Sequence, residues 1–308
     1  MSASGSKKAI VAALGANAGI AVAKFIGAFI TGSASMLAEG VHSVADTSNQ
    51  ALLLLGQRAA NKEADALHPF GYARNRYFYS FIVALVLFTL GSVYAIYEGI
   101  HKIQHPEELS SPMVAVVILV VAIGLEGFSW LTAVRESRPL KGNASWWQFI
   151  RTSRSPELPV VLLEDTGALI GLVFALGAVG LTMVTDDPIY DGIGTLCIGL
   201  LLGVIAIVLI VEMKSLLLGE GATPQEDAAI RNALVDSSKI VSVIHLKTEY
   251  LGPDQMLVAA KIAIAPGLDI ATLAEAIDAA EVRVRHAVPE ARLIYLEPDL
   301  YRKQQHTS

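Results

Sequence analysis

The chain has 308 residues, 53% of them hydrophobic and only 17% charged, with a formal net charge of −6 and a mean hydropathy of +0.52. This is too apolar for a soluble domain of that length and indicates a membrane-embedded chain. The single Cys197 excludes an intrachain disulfide and any cysteine-based metal site, and no basic patch with interleaved aromatics supports nucleic-acid binding.

Residues 1–7 are a short polar lead without a small-residue cleavage site, so no removable signal peptide is expected. Residues 8–214 then contain six stretches long enough to span about 30 Å of hydrocarbon at ~1.5 Å per residue. They lie near 8–31, 34–57, 77–100, 112–134, 159–183 and 190–213. In the first, the small residues Gly15, Ala16, Gly19, Ala23 and Gly27 read as close helix packing. Asn17 reads as a helix–helix hydrogen bond, and Lys24 snorkels or pairs with an acidic neighbour.

The second stretch, SASMLAEGVHSVADTSNQALLLLG, is the most informative. Glu39, His42, Asp46 and Asn49 recur at steps of three, four and three, which places them on one helical face. Ionisable residues at bilayer depth cost a few kcal/mol or more and commonly serve a pathway or a site. An imidazole and a carboxylate one turn apart also form a ready ligand pair for a divalent transition metal. A buried hydrogen-bonded pair that only glues helices is the alternative.

The loop after it holds Asp65, His68 and HPFGYARNR. Asp65 and His68 could hold a metal loosely, or the loop is simply polar, with Arg74 and Arg76 binding headgroups or a partner. Glu98 reads as interfacial, and Glu126 in the fourth stretch is ambiguous, a structural polar residue or a proton relay or support to the site. Between the fourth and fifth stretches, Trp146 and Trp147 beside Arg151 and Arg154 predict an interfacial helix. The fifth brings a second intramembrane acidic pair, Glu164–Asp165, in VVLLEDTGALIGL. Adjacent helical residues point about 100° apart, so only one of these faces His42 and Asp46 squarely. Two carboxylates and one imidazole would give a metal three ligands, with Glu164, Asn49 or water as the fourth.

Basic residues set the orientation. Lys7, Lys8, Arg58, Lys62, Arg74, Arg76, Arg135, Arg138, Lys141, Arg151, Arg154 and Lys214 fall on one side. Lys102 and the acidic Glu107, Glu108, Asp186, Asp187 and Asp191 fall on the other, so both termini are expected to be cytoplasmic. Residues 215–308 form a soluble domain. A helix after Pro224, two strands about the Gly252–Pro253 turn, a second helix and a last strand at RLIYLEPDLY are predicted there.

The segments AKFIGAFITGSASMLAEGVHSVADTSNQALLLLG and HPFGYARNRYFYSFIVAL resemble the cation diffusion facilitators, six-span transporters of divalent metals with a cytoplasmic metallochaperone-like domain. The resemblance runs from about residue 8 to 300. The Asp46–Gln50 run and GNASWWQFIRTSRSPELPVVLLEDTGAL look most like the zinc-transporter-9 branch. It implies an α-helical membrane protein with six transmembrane helices and a small α+β ferredoxin-like C-terminal domain that dimerises. It also implies a transport site built from one ligand pair in the second span and one in the fifth. His42 and Asp46 match the first pair. Asp165 fits the second, but Val161 stands where its partner would be, and Glu164 is the proposed substitute.

The family's accessory loop motif, DxxHxxxH, is reduced to Asp65 and His68, with Tyr72 in the last place. In the C-terminal domain His245 matches one position of a binuclear site, while Ala260, Tyr295 and Glu297 occupy others; the domain therefore reads chiefly as a dimerisation unit.

The expected function is efflux of a divalent transition metal, Zn²⁺ foremost, coupled to protons moving the opposite way. An imidazole, ordinarily titrating near ~6.5, can exchange its proton for metal. The metal is substrate, and no resident cofactor is expected. Alternatives are a Mn²⁺, Fe²⁺, Co²⁺ or Ni²⁺ exporter, a channel, or a non-transporting metal-responsive scaffold. No HExxH-like motif supports an enzyme. A missing transit peptide points to a bacterial inner membrane. The expected partners are the metal ion, protons, the lipid bilayer and a second copy of the chain.

Overall fold

The computed structural model describes residues 18–300. The polar lead, Asn17 and the other expectations that fall on residues 1–17 lie outside the described residues, as does the tail beyond residue 300. The chain divides into two compact units. One holds the described part of Met1–Arg58 together with Tyr77–Lys214, and the other holds Ala59–Arg76 with the described part of Ser215–Ser308.

The first unit is helical. Its elements are α1 (Ala18–Thr31), α2 (Ala34–Ala60), α3 (Asn75–Ile82), a π-helical turn at Val83–Phe88, α4 (Thr89–Gln104), α5 (Pro112–Lys141), α6 (Trp146–Thr152), α7 (Glu157–Thr185) and α8 (Ile189–Leu218). By length and composition, α5, α7 and α8 are each able to cross a membrane. The other expected spans do not reach that standard, for local reasons. Only part of the first is described. The second is long enough but carries Glu39, His42, Asp46 and Asn49, all buried. The third is divided by the π-helical turn, a feature often found near functional sites.

The joint between α1 and α2 is built from polar groups. Gly32 takes a positive φ of 69°, which suits glycine, and its carbonyl accepts a 3.0 Å hydrogen bond from the Lys102 ammonium. The free N–H groups at the start of α2 meet the buried carboxylate of Asp191 from α8. Asp191 accepts from Ala34 N (2.6 Å), Ser35 N (3.3 Å), Ser35 Oγ (2.5 Å) and Ser33 Oγ (2.8 Å). A carboxylate at a helix N-terminus satisfies orphan donors and the helix dipole together. Asp191 therefore caps a helix other than its own.

Close helix packing occurs chiefly elsewhere than expected. Space is open around Gly19, whereas Gly27 lies against Met36 and Ile118. The tightest backbone approach is between α4 and α8. A Cβ on Gly99 would lie 2.6 Å from Leu196 N, and one on Gly199 would lie 2.7 Å from Ile96 N. The Ser92 hydroxyl donates to the Gly199 carbonyl at 2.7 Å in the same seam. Small residues let helix backbones approach in this way where water supplies no driving force. Gly199→Val should therefore destabilise the protein by about 3 kcal/mol through overpacking, seen as a lower apparent Tm in detergent. An unchanged Tm would mean that the seam is slack.

The interfacial segment forms as the short helix α6, where the Ser145 side chain accepts from Gln148 N at 3.1 Å. Trp147 is exposed, and Trp146 packs edge-on against Phe149.

The second unit contains α9 (Pro224–Leu234), β1 (Ile240–Gly252), β2 (Gln255–Ile264), α10 (Ile270–Ala287) and β3 (Ala291–Leu300). Thr223 and Glu226 form a reciprocal capping box that starts α9. β1 pairs antiparallel with β2, and β2 pairs parallel with β3 across the α10 connection, in the order β1-β2-β3. Alternate residues of β2 (Met256, Val258, Ala260, Ile262) are buried with Ile230, Leu234 and Val284 of the helices in one core.

The segment 59–76 belongs to this unit. Arg74 pairs with Glu249, Arg76 pairs with Asp254 at 2.6 Å, and Gln255 Nε2 donates to the Phe70 carbonyl at 3.4 Å. Arg74 and Arg76 are thus paired with acidic residues of the β1–β2 hairpin.

Candidate metal site

The polar stripe of α2 faces inward over its whole length: Glu39, His42, Asp46 and Asn49 are all buried. The His42 Nδ1 lies 3.5 Å from Asp46 Oδ1 across one helical turn. From α7, Glu164 and Asp165 are both buried, but they serve different neighbours. Glu164 turns to α2, accepting a hydrogen bond from the Asn49 amide, and its carboxyl acts electrostatically with that of Asp46. Asp165 turns toward α5, where Oδ2 accepts from Ser129 Oγ at 3.0 Å. The next turn of the same seam is fastened by Trp130 Nε1 donating to Thr166 Oγ1 at 3.0 Å. The roughly 100° step between adjacent helical residues thus assigns the two acids to two partners.

Among the described residues, no group of three or more His, Cys, Asp or Glu side chains converges closely enough to hold a metal ion. Of the expected set, His42 and Asp46 adjoin on α2, while Glu164 and Asp165 of α7 take different neighbours. Glu164 reaches α2 through Asn49, while Asp165 is hydrogen-bonded to Ser129 of α5. Asn49 is a hydrogen-bond donor to Glu164, which is the role its amide can play beside a carboxylate.

Two further buried charged groups complete the electrostatics. Glu126 of α5 acts electrostatically on both Asp46 and Asp165. Lys24 of α1 is fully buried; its ammonium donates to Glu39 Oε2 at 3.2 Å and to Ser43 Oγ at 2.7 Å. The snorkelling alternative for Lys24 is excluded by this burial. Five carboxyl groups, one imidazole and one ammonium therefore share one buried region. Such an excess of acidic groups demands compensation by protons or a cation. No local spacing pointed to Lys24, Ser43 or Ser129, because their partners lie on other helices.

The two accessory clusters are committed otherwise. Asp65 accepts from Tyr72 OH at 2.7 Å, Lys62 Nζ at 3.0 Å and the backbone N–H groups of Leu67 and His68. The Tyr72 hydroxyl, followed by Lys62, holds the Asp65 carboxyl well below the usual carboxylate range. Asp65 and His68 are thus members of an exposed polar turn, with the His68 ring 4.4 Å from that of Tyr72. Tyr72→His would place a third ligand beside Asp65 and His68. It should create zinc binding in the micromolar range, measured by chelator competition in an Asp46→Ala background. No gain of zinc binding would show that the turn cannot rearrange around an ion.

In the C-terminal sheet, His245 and Glu297 both neighbour Lys261, one on β1 and the other on β3. Lys261 Nζ lies 3.0 Å from Glu297 and 3.4 Å from Asp299, and these carboxylates push the lysine pKa up. A lysine ammonium thus stands on the strand between His245 and Glu297.

The human proton-coupled zinc antiporter SLC30A9, mitochondrial, is 35% identical over 234 residues, covering 74% of this chain and 41% of that protein. The Xenopus laevis protein of the same name is 38% identical over 218 residues, 70% of this chain and 39% of its own length. Metal tolerance protein C4 of Arabidopsis thaliana is 33% identical over 261 residues, 83% of this chain and 57% of the relative. The chain thus spans about two-fifths of the length of the antiporters it matches.

These relatives overturn the expectation of a bacterial inner membrane: those named SLC30A9 are mitochondrial proteins of vertebrates. The positive-inside asymmetry orients spans across a membrane but does not name the membrane; what stands is a membrane-embedded chain. The cation efflux transmembrane domain family matches residues 10–218, the stretch that carries the α2 stripe and the Glu164–Asp165 pair. With that match and the 35–38% identities, the chain belongs to the cation efflux family, on its zinc-transporter-9-like branch.

Proposed function

We propose that this chain moves a divalent transition metal, zinc foremost, across a membrane in exchange for protons. The observation that carries this reading is the buried His42–Asp46 pair on α2, with Glu164 of α7 hydrogen-bonded to Asn49 of the same buried face. The names of the antiporter relatives support zinc and proton coupling. In this reading six helices span the membrane, with α1 to α4 supplying the spans that fall short on hydropathy alone. The C-terminal unit takes the family's ferredoxin-like form and pairs with that of a second copy.

An incoming ion would displace protons from His42, Asp46 and Glu164, and would be joined by Asp165 once its bond to Ser129 opens. Returning protons would then expel it, so that ion and protons alternate on one set of groups. Access would alternate between the two sides by rearrangement around this buried site. The chain does no covalent chemistry in this scheme, and lipid is its solvent.

The test is Zn²⁺ flux into proteoliposomes under an imposed pH gradient, with Mn²⁺, Fe²⁺, Co²⁺ and Ni²⁺ as competitors. Saturable flux that follows the gradient is expected, with Zn²⁺ the strongest competitor. Non-saturating flux would indicate a channel. Absent flux with metal-dependent capture of a partner would favour a scaffold.

A further inference from the structure

Glu39 stands one helical turn from His42 on the same buried face and is chemically as good a metal ligand as Asp46. Its position is explained by two contacts. Oε2 is bound by the Lys24 ammonium at 3.2 Å. Oε1 has no hydrogen-bond partner among the described residues and lies against α7 at Gly171, where any Cβ would strike it. Lys24 is itself completed by Ser43 Oγ at 2.7 Å, so two of its three N–H donors are used. Both charged side chains are fully inaccessible to solvent. The ammonium also acts electrostatically on Asp46 and Glu126.

We propose that Lys24 is a specificity- and affinity-setting residue of the transport site, a resident cation that occupies Glu39 and keeps it from becoming an additional metal ligand. This inference rests on the metal-transport reading above. Its logic is electrostatic. A transport site must bind its ion well enough to load and weakly enough to unload. Glu39, His42, Asp46 and Glu164 together would make a site rich in carboxylates, strong for divalent ions and slow to release them. A fixed positive charge among them weakens cation binding, and it does so most where water is excluded. Lysine suits the task because its compact ammonium is a point charge with rotatable donors. Gly171 leaves room for Glu39 to settle against α7 when paired.

The experiment compares Zn²⁺ flux kinetics in proteoliposomes for wild type, Lys24→Met, Glu39→Gln and Lys24→Met/Glu39→Gln, with Lys24→Arg as the conservative variant. Lys24→Met frees Glu39 and should lower KM about tenfold while slowing turnover. Glu39→Gln leaves Lys24 without its counter-charge and should raise KM by about the same factor. The double variant should return KM to near the wild-type value, and Lys24→Arg should stay near it throughout. A pair that matters only for folding would move both single variants in the same direction. That result, unchanged KM in both, or a double variant that fails to recover would overturn the inference.

If Lys24→Met does not fold, Glu39→Gln and the double variant decide alone: a raised KM that the double variant restores supports the proposal, and any other pattern overturns it. Direct Zn²⁺ titration of the same purified variants separates two failures. Absent flux in wild type sinks the transport reading, while opposed shifts in Zn²⁺ affinity would still uphold the role of Lys24.

Discussion

Asp46→Ala is expected to reduce Zn²⁺ flux by at least about a hundredfold, the upper end of what losing even an outer-shell partner of a metal ligand does. Asp46 is the point where the buried cluster meets. It lies one turn from His42 at 3.5 Å and feels the charges of Glu126, Lys24, Glu39 and Asp165. Asp46→Asn keeps the shape but loses the charge, and should fail almost as completely if the group serves as a ligand. If it served only to join helices, the asparagine variant would retain most activity while alanine lowered stability.

The same assay distinguishes the two acids of α7. Glu164 faces α2 through Asn49, so Glu164→Gln should cost more than Asp165→Asn in this conformation's terms. The reverse order would mean that Asp165 leaves Ser129 and enters the site during transport.

The second large effect is structural. Asp191→Ala should lower stability by about 3–5 kcal/mol, with an apparent Tm lower by roughly 10 °C in detergent. The carboxylate receives two backbone N–H groups and two hydroxyls at the start of α2, and all four would lose a buried charged acceptor together. Because α2 carries His42 and Asp46, transport should fall as well, and zinc affinity should drop as the helix start frays. Asp191→Asn should retain part of the stability, since its amide oxygen can still accept. A Tm unchanged by Asp191→Ala would mean that other groups or water replace the cap.

Much of this was open to reading along the chain. The 3–4–3 spacing of Glu39, His42, Asp46 and Asn49 defines a helical face, and the expense of burying such groups identifies that face as the site. The helix–strand–strand–helix–strand order after residue 215 followed from periodicity and the Gly252–Pro253 turn, and the strands and helices lie where those signals put them. The extent of hydrophobic spanning was less legible. The second and third stretches deviate because polar residues and a π-helical turn interrupt them, and hydropathy cannot separate a weak span from a functional one.

Sequence periodicity also could not tell which side of α7 each acid would take. Glu164 and Asp165 are neighbours in the chain, and only the packing of α2 and α5 around α7 sends one to Asn49 and the other to Ser129. Lys24 and Glu39 are 15 residues apart, and Asp191 is more than 150 residues from the helix it caps. The contacts of Asp65 with Tyr72 and Lys62, and of Glu297 with Lys261, likewise carry no signal in the local sequence.

The sequence by itself determined the class of chain, the family and the buried stripe of α2, because helical period and the cost of burying polar groups are properties of local sequence. Tertiary structure alone decided which groups face that stripe, and that Lys24 stands among them. Coulombic and hydrogen-bonding partners are set by distance in space, and residues far apart in the chain carry no shared period that would reveal them.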